Sequence, residues 1–370
     1  MNYYKRIEYY NILNNKLKTR DDCINKKHIV EKTGGSGFIY KKTIKINKNN
    51  YIVSLKEQDI TIKNKYKLIK EYEILKKCTN LVNNKITQNL PLIYDLYICD
   101  KNKFIFYNEL ATGDFFDWCY YKHTDEEWES FLFQLWVGYY AMKKHLKIVH
   151  NDLRYGNVLY HKINKNGENW KYKINKDEYI IPNEGYVFMI WDFGSAEYIT
   201  NDYIKYKSES NIDLFFFHEL YIRLQIFYIS ERYTTIEIET YFSTDDEKQY
   251  VEDKKKESER LFRKSGRYDE KYKMALIYYL IENDKLNKLD KNNENNENNT
   301  SKKIYLPSNK IMKILKELSE NNFPYAEKKE IILDKKIKVN TKILPPNELI
   351  KKYFKKYLNT NNKYTLEFII

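Results

Sequence analysis

Near the middle of the chain lie a few residues whose types and spacing suit phosphoryl transfer. In "VHNDLRYGNVLY", His150, Asp152 and Asn157 stand in the pattern H-x-D-L-x-x-x-N, and Asp192-Phe193-Gly194 follows 35 residues after Asn157. A positioned carboxylate can take the proton of an attacking hydroxyl. An amide oxygen and a second carboxylate can hold a hard divalent cation. The two motifs in this order are far more specific than either alone. Glycine adds a weaker signal: the chain has 10, and Gly34, Gly35 and Gly37 cluster in "KTGGSGFIY". Glycines let a backbone approach phosphate with its N–H groups turned inward, although a plain strand-to-strand turn uses them as well. Lys56, at the end of "VSLK", is a strand lysine suited to phosphates, and Glu71 and Glu73 in "KEYEILKKC" are its candidate partners.

These residues need elements to hold them. From about Ile29 to Phe106, short alternating apolar runs such as "FIYKKTIKI", "YIVSLK" and "KFIFYNEL" predict strands. One helix interrupts them over Lys65 to Cys78, with Leu68, Ile69, Tyr72 and Leu75 as its apolar positions. After Gly113 the texture turns helical in "EEWESFLFQLWVGYYAMKKHL". Strand-like runs at Asn157–Tyr160 and Tyr186–Trp191 carry the two motifs, and the sequence between them reads as an inserted hairpin. Helices are expected over 214–229, 257–283, 309–319 and 347–358, and the polar segment 289–303 reads as a solvated loop. The expected class is α+β, with a β-rich N-terminal lobe over 1–110 and a mainly helical C-terminal lobe over 111–370.

Composition narrows the function classes. With 42% hydrophobic residues and 37 tyrosines in 370 residues, the chain is too apolar for a disordered one. No window is long and uncharged enough to span a membrane, and the N-terminus lacks a signal-peptide layout, so a soluble cytoplasmic protein is expected. Cys23, Cys78, Cys99 and Cys119 have no metal-like spacing and are read as reduced thiols. The net charge of +13 is spread along the chain rather than gathered in a block, so no dedicated nucleic-acid site is expected.

Together the motifs resemble the protein kinase superfamily from about Ile29 to Phe217. The resemblance implies a bilobal kinase-like fold, ATP and Mg²⁺ as cofactors, and a role for each matching residue. Gly34 and Gly37 match the second and third loop glycines, with Lys32 in place of the first, and Gly35, Ser36 and Ile39 complete the nucleotide-binding loop. Lys56 matches the strand lysine, and the texture "EYEILKK" favours Glu71 over Glu73 as its partner. In "FIFYNELATGDFFDW", Asn108 falls at the gatekeeper position, Glu109 to Ala111 face adenine, and Asp114 lies near the ribose. Asp152 would be the catalytic base and Arg154 would touch the transferred phosphate, while Asn157 and Asp192 would bind Mg²⁺.

The chain departs from the family pattern in the catalytic loop and after it. Asn151 replaces the arginine that normally receives a phosphorylated activation loop, no APE motif follows Gly194, and Asp213, only 19 residues later, resembles the aspartate at the start of the family's next buried helix. A short segment is therefore expected, held by Tyr198, Ile199 and Tyr203, with activity independent of phosphate on Thr200 or Ser208. The hairpin insertion and "PPNELIKKYFKKY" resemble the Ser/Thr kinases of large cytoplasmic DNA viruses, including giant viruses, which implies a host cytoplasm or a virion. The expected activity is transfer of the γ-phosphoryl group to a Ser or Thr hydroxyl of a protein substrate. "HND" also occurs in small-molecule kinases of the choline and aminoglycoside type, which stand as the alternative. A pseudokinase scaffold is the other.

Overall fold

Period-two alternation in the first third of the chain builds a five-stranded antiparallel sheet, with an amphipathic helix packed on one face. The computed structural model describes residues 1–14, 17, 30–34, 37–99, 103–199, 215–263, 266–283, 285, 304–321 and 346–370. The short helix α1 (Tyr3–Leu13) comes first, and its N-cap Asn2 accepts a hydrogen bond from the Lys5 N–H. The strands β1 (Val30–Gly34), β2 (Gly37–Ile46), β3 (Asn49–Asp59), β4 (Ile93–Cys99) and β5 (Lys103–Glu109) lie in the order β1-β2-β3-β5-β4. Asn47 and Lys48 join β2 to β3 with φ of 49° and 68°. Two successive positive φ values give the turn whose twist matches its flanking strands.

Strand β3 is buried on both faces. Tyr51, Val53 and Leu55 fill one face, whereas the other carries the enclosed polar residues Ser54, Lys56 and Gln58. Helix α2 (Lys65–Asn83) lies on that polar face, with its Tyr72 ring 6.5 Å from the ring of Phe106 on β5. Its buried stripe is Leu68, Glu71, Leu75, Cys78 and Val82, so a carboxylate occupies a core position. Ile69, expected among the apolar positions, is 37% exposed. The helix is rotated so that Glu71, rather than Ile69, meets the sheet.

The next segment holds the second half of the candidate site. β6 (Gly113–Asp114) leads through α3 (Phe115–Cys119) to α4 (Asp125–Ala141), which Thr124 and Glu127 start with a reciprocal capping box. Every residue of α4 from Trp128 to Tyr139 is buried, and Phe131 packs with Trp118, Trp128 and Phe188. At Gly138 a Cβ would lie 2.9 Å from the Asn89 carbonyl oxygen, so the close approach there requires glycine. A turn of π-helix over Met142–Leu146 ends at Lys147 (φ 53°) and feeds β7 (Ile148–Val149). Then come β8 (Val158–Lys162), the hairpin β9 (Asn169–Ile174) and β10 (Asp177–Pro182), β11 (Tyr186–Ile190) and β12 (Glu197–Tyr198). β8 pairs with β6 and β11, and β12 pairs with β7. The last strand, β13 (Leu366–Ile369), runs parallel to β9 and extends the inserted hairpin into a three-stranded sheet.

The chain is thus a mixed α and β fold with largely antiparallel sheets. It divides into two compact units: Met1–Trp118, Thr124–Phe216 and Pro324–Ile370 in one, and Cys119–His123 with Phe217–Phe323 in the other. All the candidate site residues fall within the first. The second unit is helical, with Asp245–Phe262 and Tyr268–Glu282 packed around Ile226, Tyr272, Leu276 and Leu280. One helix was expected over 257–283, but Gly266, at φ 68°, lies between two. The helix expected over 347–358 ends at Tyr353, and a 3₁₀ turn over Lys355–Tyr357 follows. The segment 289–303 lies outside the described residues.

Among the described residues no helix is long and apolar enough to cross a membrane. Cys78 and Cys119 are buried, reduced cysteines. Cys99, by contrast, is disulfide-bonded, which corrects the reading of all four cysteines as reduced.

Candidate active site

Strand alternation turns Lys56 toward α2, and the helix stripe turns Glu71 toward β3. Their charges meet in the interior, with Lys56 Nζ 2.7 Å from Glu71 Oε1. The same ammonium lies 3.0 Å from Oδ1 of Asp192, which follows β11. Burial favours loss of the Lys56 proton, but the two carboxylates outweigh it and raise the pKa above the usual lysine value. For Asp192, burial pushes the carboxyl up. The Lys56 charge and hydrogen bond, the nearby His150 and the Gly194 N–H together hold it below the ordinary range. The result is a fixed ammonium between two carboxylates, with the Asp192 side chain 30% exposed.

Asp192 has a left-handed backbone (φ 62°, ψ 72°) before the 3₁₀ turn Phe193–Ser195. For a non-glycine residue that conformation stores strain, and such residues cluster at functional sites. Phe193 is fully buried with its ring 5.1 Å from the His150 ring. Gly194 passes under the Lys56–Glu71 pair, where a Cβ would lie 3.3 Å from Glu71 Oε2 and 3.4 Å from Asp192 Oδ1.

The loop between β7 and β8 carries the other half. His150 is fully buried, with Nε2 2.7 Å from the Trp191 carbonyl oxygen, while Nδ1 lies 3.3 Å from the Asp152 N–H. The two contacts agree on one tautomer: Nε2–H donates and Nδ1 accepts. The Trp191 N–H donates to the Asn157 carbonyl at 2.7 Å, so the loop is fastened on both sides of the residue that precedes Asp192. Asn157 Nδ2 donates to the Asp152 carbonyl (2.8 Å) and to Asp152 Oδ2 (3.1 Å). That holds the Asp152 carboxylate and leaves the Asn157 amide oxygen for a cation. Arg154 Nε lies 3.6 Å from Asp152 Oδ1, and both side chains are exposed. Asn151, at φ 62°, donates its amide to the Ser195 carbonyl at 3.2 Å. Asparagine tolerates this left-handed position better than arginine would.

The remaining predicted residues are dispersed by comparison. Gly34 and Gly37 face each other across the β1–β2 hairpin, and Gly35 and Ser36 lie outside the described residues. Ile39 is half-buried and directly opposite Lys56. Ala111 is half-buried in the segment before β6. Asp114 Oδ1 accepts from the Asp117 N–H at 3.0 Å and caps α3. The Glu109 side chain turns to the opposite sheet face from Lys56. Arg6 of α1 grips it there with Nε and Nη2, each at 2.8 Å. His161 Nε2 at 2.9 Å and the Leu92 N–H at 2.7 Å complete its shell. Burial pushes the Glu109 carboxyl up, yet Arg6 and the His161 hydrogen bond bring it down to about 2. Burial lowers the pKa of His161 itself, which makes it a neutral N–H donor. Glu109 could thus offer a ligand only its main chain.

Sequence reasoning did not single out Arg6 or His161 as partners of Glu109, because no local pattern marks a partner 103 or 52 residues away. It also missed Lys77 on α2, which donates to the Tyr198 hydroxyl at 2.9 Å and lies over its ring at 4.6 Å.

Among the described residues no three His, Cys, Asp or Glu side chains gather as a metal site. One carboxylate and one amide oxygen do suit Mg²⁺, a hard ion that keeps several of its waters. They do not suit zinc, which needs three or four protein ligands.

No family model matches the chain. The chain is 25% identical over 181 residues to a protein of Invertebrate iridescent virus 6 described as "Probable serine/threonine-protein kinase 380R". The match takes in 44% of this chain and 34% of the viral protein, so the chain spans about a third of that relative's length. What the two share is a distant, kinase-like relationship.

Proposed function

We propose that this protein is an ATP- and Mg²⁺-dependent protein kinase that transfers the γ-phosphoryl group to a Ser or Thr hydroxyl. The observation that carries the reading is the Lys56 ammonium held between Glu71 and Asp192, with Asp192 fastened through Trp191 to the loop of Asp152 and Asn157. In this reading Lys56 binds the nucleotide phosphates, and Glu71 fixes where its charge stands. Asp192 and Asn157 hold Mg²⁺, which would neutralise charge on the phosphate oxygens when bound. Asp152 Oδ1 or Oδ2 receives the substrate hydroxyl proton, its orientation set by Asn157 Nδ2. Arg154, beside Asp152, supplies a positive charge for the transferred group. Most of the rate enhancement in such a site comes from positioning and fixed charge.

The same reading includes activity without activation-segment phosphorylation. Thr200, Tyr203, Ser208 and Asp213 lie outside the described residues, but the start of that segment supports it. Ser195 is tied to Asn151 by a neutral amide, β12 pairs with β7, and the Ile199 N–H donates to the Lys147 carbonyl. Lys77 holds Tyr198 from α2. None of these contacts needs a phosphate.

Incubation with γ-labelled ATP, Mg²⁺ and a generic protein such as casein, followed by phosphoamino-acid analysis, tests the proposal. Label on Ser or Thr of the added protein is expected. Label on an amino alcohol but on no protein would move the assignment to the small-molecule kinases. No transfer to either would end it.

A further inference from the structure

Helix α2 has an inner stripe, from Leu68 and Glu71 to Val82, that is spent on the sheet. At its start it has an outer one as well. Ile62, in the turn before the helix, is fully exposed, Tyr66 is 79% exposed and Ile69 is 37% exposed. Their spacing of i, i+4 and i+7 puts them in one row on the side away from the sheet. The turn already runs in register with the helix, since the Lys65 N–H donates to the Thr61 carbonyl at 3.0 Å. The Thr61 N–H donates to Asn64 Oδ1 at 2.7 Å, and Asn64 Nδ2 donates to the Asp59 carbonyl at 2.8 Å. Ile62 is thus held out into solvent by a fixed turn. Apolar side chains scattered singly over a surface are ordinary, but a contiguous row of them marks an interaction site.

The same stretch is cationic. Over 60–70 the sequence "ITIKNKYKLIK" holds four lysines and no acid. Lys63 stands next to Ile62 in the turn. At 3.6 residues per turn, Lys65 lies to one side of the apolar row and Lys67 and Lys70 to the other. Among the described residues none of the four ammonium groups has an ion pair or a hydrogen-bond partner. The acids at the two ends are engaged elsewhere: Asp59 Oδ1 lies 3.9 Å from Lys103 Nζ, and Glu71 is buried against Lys56. The exposed Glu73 closes the row one turn further on.

The partner must use both features. A nucleic-acid backbone would pair with the lysines and leave Ile62 in water. An acidic protein would have to match cations on both flanks of a projecting ridge. A bilayer containing anionic lipid needs no such match. Apolar side chains and a tyrosine ring enter its headgroup boundary, while lysine stems lie alongside with their charges among the phosphates. Stable attachment takes two weak signals together, and this face supplies an apolar one and a basic one. We propose that the turn 61–64 and the first two turns of α2 dock on an anionic lipid membrane surface, with Ile62 and Tyr66 entering the interface and the four lysines meeting the headgroups. The surface is independent of the nucleotide-site reading above.

The test is co-sedimentation of the full chain with vesicles of phosphatidylcholine alone, and of phosphatidylcholine with about a third phosphatidylserine, at about 0.1 M salt. Wild type should bind the mixed vesicles at least tenfold more tightly than the neutral ones. K63Q/K65Q/K70Q should lose roughly a hundredfold on the mixed vesicles, at about fivefold for each lysine beside an anionic surface. K41Q/K45Q/K48Q removes as much charge from exposed positions on β2 and its turn, and should lose less than tenfold. I62S/Y66S changes two side chains that already stand in solvent, so it should melt as wild type does. It should still lose about tenfold in binding, the order for partly burying two large apolar side chains. Wild type that fails to bind the mixed vesicles, or binds both kinds alike, would overturn the inference. So would an equal loss in the two lysine triples, which would mean diffuse charge, or full binding by I62S/Y66S. Tighter binding to a duplex oligonucleotide or to polyglutamate than to the mixed vesicles would assign the face to another partner and overturn it too.

Discussion

Replacing Arg6 by Met removes the only side-chain cation in contact with Glu109 among the described residues, at a place where neither side chain has any exposure. Arg6 also donates to the Gln88 carbonyl at 2.5 Å and the Leu90 carbonyl at 2.7 Å, so α1 is bolted to the end of β5 through one guanidinium. The cost can be worked two ways. Breaking a buried ion pair by removing one partner typically costs about 3–5 kcal/mol, because a buried charge is left uncompensated. Independently, the Glu109 carboxyl is lowered from 4.5 to about 2, and at 1.36 kcal/mol per pKa unit that corresponds to about 3 kcal/mol of linked stability. The sign follows from the direction. A depressed carboxyl pKa contributes stability that is present above about 4.5 and lost as pH falls toward about 2. In R6M the same carboxyl is buried without its cation, so its pKa rises and protonation now relieves the defect. The variant should therefore melt ~8 °C or more below wild type at pH 7, taking about 2 °C per kcal/mol for a chain this large. The gap should narrow as pH is lowered to about 4. R6M/E109Q, which has no buried charge left over, should recover part of the loss. Thermal melts of the four combinations at several pH values provide the measurement. An R6M melting temperature within 2 °C of wild type, or a deficit that grows on acidification, would refute the reasoning.

Other expectations concern the site. Asp152→Ala should lower turnover ~10²–10⁴-fold, the range for losing a general base, while nucleotide binding measured by displacement stays within a few-fold. Asp192→Asn should abolish the dependence of nucleotide affinity on Mg²⁺, since a neutral amide holds a hard cation poorly, and titration calorimetry with and without the metal will read it. Treatment with a broad phosphatase, followed by its removal, should leave initial rates on an added protein within about twofold. A loss above tenfold (about 1.4 kcal/mol of barrier) that rephosphorylation at Thr200 or Ser208 restores would contradict the packing-held segment.

Much of the candidate site could be read before the fold because its chemistry is local. Asp152 and Asn157 are five residues apart on one loop, and a spacing that short fixes their neighbourhood whatever the rest of the chain does. The hydrogen bond between them is a consequence of loop geometry. Strand β3 and helix α2 were likewise visible, since periods of two and of about 3.6 belong to the backbone. Spacing alone left Glu71 and Glu73 both available to Lys56, and only the fold turns Glu71 inward and leaves Glu73 exposed. The pairing of Asp192 with Lys56 spans 136 residues and follows from no local rule; the resemblance gave each residue a role but no bond between them.

What the sequence could not decide are the partners of buried charge and the closing of sheets over long separations. Nothing around Arg6 predicts a helix that delivers a guanidinium to Glu109, and nothing in "LEFII" predicts a strand parallel to β9 across nearly two hundred residues. Gly266 interrupts a helical pattern that the residues on either side would have continued. Local propensity is a matter of a few tenths of a kcal/mol per residue, and it sets which elements form. Whether a carboxylate can be stripped of water depends on a cation brought within 3 Å by the whole chain, and that proximity exists only once the tertiary structure is complete.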